Sequence, residues 1–354
     1  MGTSKLKGDG VEFANLATRP TNPPSGLVFF NTGTSKLEIW DGNSWANVSD
    51  GASFLYRQII TTGFVIGGYQ STSPWTNINT MVHSTDVMTN NGNILPYAAS
   101  YTSGACSLVN GYLWSADNTW PGTSAQTAAF NMNTMTGFSG SSYNMRNGRN
   151  DCATIFKEHQ YAYIIGGGAA NVDVFNLSTE TMMGDLSITA QAGDSYQAGN
   201  ASHSSEFSGF VWQATDSAQK ITFSNSTAVA TVSNLTAGAS TSPGINSQQK
   251  GFSSKHGKGY GGNEGNYLGG YNLRRWSYAT DTNIGTVAKP MANTGEENYD
   301  MGQDHQYAMG SYDGLQNNRG HKFSYATDSG VELGSGSIRT GVPGGSSGHC
   351  VWKG

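Results

Sequence analysis

The chain has 354 residues, 48 of them Gly, only 12% of them Asp, Glu, Lys or Arg, with a formal net charge of −5. That length suits one large domain plus a small segment. The slightly acidic balance without a basic stripe argues against nucleic acid as a partner, and no apolar run approaches the ~20 residues of a membrane span. Long runs of Ala, Leu, Glu and Lys are absent as well, so β structure is expected nearly throughout.

Residues 1–52 differ in pattern from the rest of the chain. Met1–Gly10 is polar and does not read as a secretory leader. Thr18–Gly26 is a proline-rich connector. Beyond it, Gly26–Val48 predicts two or three short strands, with turns at Asn31–Ser35 and Asp41–Asn43. A piece this small cannot bury a core of its own. Its large apolar side chains, Phe29, Phe30, Trp40 and Trp45, are therefore expected to pack against something else and to serve as an attachment surface.

From residue 54 to the end runs one degenerate pattern in six copies. Each opens with an apolar strand: Gly63–Tyr69, Gly111–Trp114, Tyr161–Gly167, Gly209–Trp212, Asn266–Tyr271 and Tyr307–Tyr312. Each continues into a second strand that ends in a polar turn. The turns are led by residues 83, 130, 175, 223, 278 and 325, so the spacings are 47, 45, 48, 55 and 47. A four-stranded antiparallel unit with tight turns needs about 40–50 residues. Repeats of that length, rich in glycine and aromatics, predict an all-β fold, a six-bladed β-propeller over 53–354 with a small N-terminal β segment over 1–52. Glycine is expected where strands crowd near a central channel, and Asn, Asp, Ser and Thr where side chains hydrogen-bond the turns. The end of the chain, Gly348–Gly354, matches the run Asp151–Lys157. It predicts a leftover strand that completes the first unit, next to Phe54–Ile60, and hides an edge.

The Gly-Gly doublets that come after apolar strands resemble the kelch repeat and, more loosely, the galactose-oxidase-like propellers. The resemblance covers residues 54–354 and implies architecture only. A copper site of the latter kind needs a Tyr, Cys and His constellation that does not assemble from this sequence, so no cofactor and no metal are expected. A second resemblance lies in residues 23–45: Pro-x-x-Gly, an apolar strand, Phe30-Asn31-Thr32, a short turn, a strand, Trp40-Asp41-Gly42 and Trp45. This order is similar to a module of bacteriophage tail fibres and other virion appendages. It implies a segment that trimerises or anchors the protein to a particle. The composition also resembles structural proteins of marine phages, including those of cyanobacteria.

Catalytic constellations are sparse. His159 and His305 share the context His-Gln-Tyr-Ala, which points to a turn. Cys106, Cys152 and Cys350 occupy comparable places before a repeat strand and read as small buried hydrophobes in a reducing compartment. Ser115–Trp120 resembles a sialidase Asp-box but lacks its glycine, and Arg146, Arg149, Arg274 and Arg275 do not supply a third arm for a carboxylate clamp. Glu296, Glu297 and Asp300 form the densest acidic cluster and read as a solvated loop rather than a glycosidase pair.

That leaves surface. Trp75 and Trp120 stand beside Pro74 and Pro121 in two long loops and are the candidates for surface recognition. The expectation from these resemblances is a non-enzymatic structural protein of a tailed-phage virion, a tail or baseplate fibre component. Its expected partners are other virion proteins through the N-terminal segment and a host-surface glycan or protein, and it would be a homo-oligomer, a trimer by resemblance. The alternatives are a head or neck decoration protein and a glycan-degrading enzyme.

Overall fold

Period-two strands with both faces apolar must be covered on both sides, and the computed structural model shows how. It describes the strands named below, the turns 83–86, 94–98, 124–149, 177–180, 278–281 and 325–328, and residues 27, 33, 67, 76, 107, 109 and 160. The chain divides into two units, Met1–Ile59 and Ile60–Gly354.

In the first unit, β1 (Ser4–Lys5), β2 (Glu12–Leu16), β3 (Val28–Asn31), β4 (Lys36–Trp40) and β5 (Trp45–Asn47) form one sheet in chain order. Two or three strands were expected within 26–48; three form, β3 to β5, and β1 and β2 add to them. β2 and β3 pair in parallel, Phe13 opposite Val28, and the other pairs are antiparallel. Asn31 shapes the β3–β4 turn. Its Oδ1 accepts the Gly33 N–H at 3.0 Å, and its amide donates to Glu38 at 3.4 Å. Trp40 lies opposite Trp45 with ring centroids 5.4 Å apart, and both are half-buried. The side chains of Phe29 and Phe30, predicted as attachment residues, lie outside the described ones, although their backbone is in β3.

The second unit contains six four-stranded antiparallel sheets. The first holds β6 (Thr62–Ile66), β9 (Asn77–Val82) and β10 (Val87–Asn93), with a small hairpin of β7 (Tyr69–Gln70) and β8 (Ser73–Pro74) between. The second comprises β11 (Ser103–Cys106), β12 (Asn110–Trp114), β13 (Thr127–Asn131) and β14 (Thr136–Phe138). The third comprises β15 (Cys152–Lys157), β16 (Tyr161–Gly166), β17 (Ala169–Asn176) and β18 (Thr181–Leu186). The fourth comprises β19 (Ser202–Ser204), β20 (Ser208–Trp212), β21 (Ser217–Phe223) and β22 (Ala230–Thr236). The fifth comprises β23 (Phe252–Ser253), β24 (Lys258–Glu264), β25 (Asn272–Ser277) and β26 (Thr282–Ala288). The sixth comprises β27 (Asn298–Met301), β28 (His305–Met309), β29 (Gly320–Ser324) and β30 (Ser329–Leu333). Finally β31 (Gly348–Lys353) returns to the first sheet and pairs with β6, Val351 opposite Phe64 and Lys353 opposite Thr62. Its partner is thus Thr62–Ile66 rather than Phe54–Ile60, which lies outside the described residues. In the fifth unit the repeat strand is Lys258–Glu264, carrying its own doublet Gly261-Gly262; the expected Asn266–Tyr271 also lies outside the described residues.

The leading strands of consecutive sheets lie side by side: β31 by β11, β11 by β15, β15 by β19, β19 by β23, β23 by β27, and β27 by β31. Successive sheets therefore bury faces against each other. Leu113, Ala128 and Phe130 of the second sheet pack on Phe64, Ile66 and Ile78 of the first. The residues between them, Tyr112, Trp114 and Ala129, point the other way and pack on Ala162, Ile164 and Phe175 of the third. Strand alternation thus fills two interfaces at once, which is why these segments read as continuous apolar runs.

Repeat glycines sit on the second strand of the first, second, fourth and fifth sheets. Each lies directly opposite a large side chain of the third strand: Gly63–Met81, Gly111–Phe130, Gly209–Ile221 and Gly259–Trp276, with Ala162–Phe175 as the near equivalent. A Cβ at Gly111 would run into the Phe130 ring, which is fully buried. Glycine here makes room for a neighbouring aromatic to fold over the strand.

The connections differ sharply between the two ends of the sheets. Turns from first to second strand (107–109, 158–160, 205–207, 254–257, 302–304) and from third to fourth (83–86, 132–135, 177–180, 278–281, 325–328) are short. At the opposite end, 67–76, 115–126, 265–271 and 310–319 join second to third strands, and 94–102, 139–151, 187–201, 237–251, 289–297 and 334–347 join sheet to sheet. The third sheet, with 167–168, and the fourth, with 213–216, are the brief exceptions.

Gly111→Val tests the small-on-large packing. It is expected to lower stability by about 1–3 kcal/mol through overpacking against Phe130, read as the shift in the chemical-denaturation midpoint. Val at half-buried Gly140, whose Cβ would meet the edge of the Tyr143 ring at 3.2 Å rather than overlap Phe130, should cost less.

Candidate functional site: acidic turns at the sheet junctions

Each described third-to-fourth-strand turn ends in a residue with left-handed backbone: Asp86 (φ 55°), Met135 (53°), Glu180 (56°), Asp281 (53°) and Asp328 (51°). The turn itself is built as the sequence suggests. The Asn131 Oδ1 accepts the N–H groups of Asn133 and Thr134 at 2.9 and 3.0 Å, and Asn176 does the same for Ser178 and Thr179. This left-handed residue then reaches the preceding sheet.

Asp328 of the sixth sheet receives three donors from the fifth: Tyr260 OH at 2.5 Å, Lys258 Nζ at 2.9 Å and Arg275 Nη1 at 2.7 Å. Asp281 of the fifth sheet accepts from Lys220 of the fourth. Glu180 of the third accepts from Ser107 Oγ at 2.7 Å and from Asn110 Nδ2 at 2.9 Å, both of the second. Asp86 of the first sheet accepts from Tyr307 OH at 2.6 Å and Lys322 Nζ at 2.8 Å, both of the sixth. Met135 of the second is the apolar counterpart and packs on the core shared with the first. The partners match the turn: Lys220, Arg275 and Lys322 occupy corresponding places on third strands and face acids, whereas Thr80 of the first sheet precedes the sheet that carries Met135.

Burial alone would raise the carboxyl of Asp86. The hydrogen bonds from Lys322 and Tyr307 and the charges of Lys322 and His305 outweigh it and hold the group below the usual carboxylate range. Asp328 behaves likewise: burial is outweighed by Tyr260, Lys258 and Arg275. The phenols are pushed the other way. Burial, then Asp328, raises Tyr260 far above the ordinary tyrosine range, and burial, then the nearby Glu180, does so for Tyr112.

The junction between the sixth and first sheets also holds histidines. His83 stacks on Tyr307 at 5.0 Å with planes 11° apart, and His305, at the start of β28, bears on Asp86. This Asp, Tyr, Lys and His cluster has the residue types of an active site. Its recurrence at equivalent places in other junctions identifies it as a fastener between sheets.

A second, fully buried fastener joins the second and third sheets. Arg149 Nη2 lies 2.9 Å and Nε 3.0 Å from Asp173 Oδ2, with both side chains at 0% exposure. Arg149 also donates to the Asn171 carbonyl and pairs through its backbone with Ser124, while Arg146 N–H donates to the other Asp173 oxygen at 3.3 Å. Arg146 and Arg275 further donate to the carbonyls of Met183 and Ile284 on outer strands. Three of the four arginines weighed as a carboxylate clamp, Arg146, Arg149 and Arg275, are thus occupied in structure, and the Arg274 side chain lies outside the described residues. Cys106 and Cys152 are buried on β11 and β15 as expected, and Cys350 is placed by its backbone on β31. Among the described residues no group of three or more His, Cys, Asp or Glu could hold a metal ion. Trp75 and Trp120, the predicted recognition residues, lie outside the described residues, as do His159, Glu296 and Glu297. The acid fasteners are not apparent from the sequence, where these turn residues read as caps only. Their signal was the Thr-Asp of three turns, 85–86, 280–281 and 327–328, facing a basic residue on the third strand of the sheet before.

No family model matches this sequence, and no curated protein does. Among solved structures the chain is similar to a novel fungal alcohol oxidase of the AA5 family in complex with copper, at 13% identity and a TM-score of 0.47, over 80% of this chain and 66% of that one. This chain therefore spans just under two thirds of that neighbour's length. The likeness transfers neither copper nor oxidase chemistry. That neighbour is described as an oxidase, and the expectation of a non-enzymatic structural protein of a tailed-phage virion is withdrawn, together with its head or neck variant.

Two outcomes test the fasteners. Because the carboxyls of Asp86 and Asp328 are lowered on folding, their contribution is complete above about pH 4, the unfolded value, and is lost as pH falls below it. Asp328→Asn should destabilise at neutral pH, and its melting temperature should fall less steeply than that of the unaltered chain between about pH 4 and pH 2. Arg149→Met should cost about 3–5 kcal/mol, because it strands a buried carboxylate; a midpoint shift no larger than that of Asp328→Asn would contradict the assignment.

Proposed function

We propose that residues 60–354 form a six-bladed β-propeller that works as a carbohydrate-recognition scaffold. The observation that carries the architecture is the succession of leading strands, which returns through β31 to its starting sheet. The fasteners support it, because the Asp86 contact joins the sixth sheet to the first in the same way that Asp328 joins the sixth to the fifth.

The connections support the functional part. All the longest segments leave the sheets at one end, and recognition concentrates in such segments on a rigid scaffold. Two of them, 67–76 and 115–126, belong to neighbouring sheets and carry Trp75 and Trp120, each next to a proline. An indole on a stiffened segment suits the apolar face of a sugar ring. The opposite end, with its short turns, is given over to fastening.

Binding to a panel of oligosaccharides and polysaccharides tests this reading. One or more should bind, and Trp75→Ala and Trp120→Ala should each weaken that binding about tenfold or more without moving the unfolding midpoint. Loss of binding on altering the short-turn end instead, or no binding across the panel, would refute it. Release of reducing ends during incubation would make the protein a glycan-cleaving enzyme.

A further inference from the structure

The sequence contains three Asn-Gly pairs, at 91–92, 110–111 and 147–148. Asn-Gly is the dipeptide in which the following backbone nitrogen attacks the asparagine side chain most readily, since glycine places no Cβ in the way. The structure treats the three very differently.

Asn110-Gly111 lies in β12, paired on both sides, with the Asn110 amide donating to Glu180 at 2.9 Å and the Phe130 ring packed over Gly111. Asn91-Gly92 sits in the bulge of β10. There the Asn91 amide donates to Thr80 Oγ1 at 2.5 Å, and the Gly92 N–H is held by Asn90 Oδ1 at 3.0 Å. Both the electrophile and the nucleophile of that pair are engaged. Asn147-Gly148 belongs to the connection between the second and third sheets. Asn147 is half-exposed and Gly148 exposed, and among the described residues no hydrogen bond holds the Asn147 amide or the Gly148 N–H. The segment is fastened on either side, by Met145 N–H to the Ala125 carbonyl and by Arg149 with Ser124, so Asn147 and Gly148 form the slack part between two anchors.

We infer that Asn147 is a site of spontaneous deamidation, and that the modification bears on the buried Arg149–Asp173 fastener. The Gly148 amide nitrogen loses its proton and bonds to the Asn147 Cγ, and ammonia leaves, giving a five-membered succinimide. Water then opens that ring at either carbonyl, so the product is aspartate or isoaspartate and the net change is one water taken up and one ammonia released. Isoaspartate lengthens the main chain by one carbon two residues before Arg149, and either product places a carboxylate near a guanidinium that Asp173 already neutralises. The fastener between the second and third sheets loosens as the chain ages.

The full chain is incubated at mildly alkaline pH and 37 °C, then analysed by intact mass and by peptide mapping that distinguishes isoaspartate. Conversion should appear first at Asn147. It should be slower at Asn91, and slower by more than about tenfold at Asn110, which reacts only through local opening of the sheet. Asn147→Gln should remove the leading product, and Gly148→Ala should slow it. The converted fraction should unfold at lower denaturant than the fresh chain, whereas aged Asn147→Gln should not. Equal rates at Asn147 and Asn91 in the folded chain, or no conversion at Asn147 while the denatured chain deamidates at all three sites, would overturn the assignment. Conversion without any change in the unfolding midpoint would overturn its link to Arg149.

Discussion

Everything in residues 60–354 depends on burying both faces of each sheet. A four-stranded sheet of short strands has too little apolar surface on one face to hold together alone. Packing each sheet between two others doubles the area removed from water, at roughly 25 cal/mol per Å². The alternation of Leu113 toward one neighbour and Tyr112 and Trp114 toward the other shows how economically the sequence does this. The glycine and alanine positions come from the same demand, because an aromatic lying flat over the strand beside it needs a neighbour with almost no side chain.

Apolar packing is indifferent to which sheet lies next to which. The acidic turns are not. An acid at the left-handed position requires a donor set on the preceding sheet, and where the preceding third strand offers Thr80 the turn carries Met135 instead. Charge and shape therefore agree about neighbours at the junctions whose turns are described. Partly exposed ion pairs add little energy individually; here their value lies in making wrong neighbours unfavourable. The buried Arg149–Asp173 pair is a different case, with its desolvation offset by contacts to Asn171, Ser124 and Arg146 around it.

Much of this was legible in the sequence, for physical reasons. The period of about 48 residues reflects four short strands and their turns, and the all-β class and the return of the last strand to the first sheet came from pattern alone. The β3–β5 hairpins were readable from Asn31 and from the Trp40 and Trp45 positions. The partners of the repeat glycines were not legible, because a one-dimensional pattern does not show which strand lies opposite Phe130 or Trp276. In the fifth repeat the described second strand is Lys258–Glu264, which carries its aromatic, Tyr260, and its own glycine doublet. The acidic fasteners were missed because their partners lie 53 to 236 residues away. The functional expectation failed for another reason. It rested on a short N-terminal resemblance and on composition, neither of which describes a site.

The pairing of Thr62 with Lys353 has a consequence for how the chain reaches its native state. Contacts between residues so remote along the backbone close a very large loop before they repay its entropy, which slows folding. Until they form, the β6 edge is open and able to pair with any extended strand nearby. High dilution and moderate temperature during refolding should accordingly decide the yield of monomer more than any property of the finished fold.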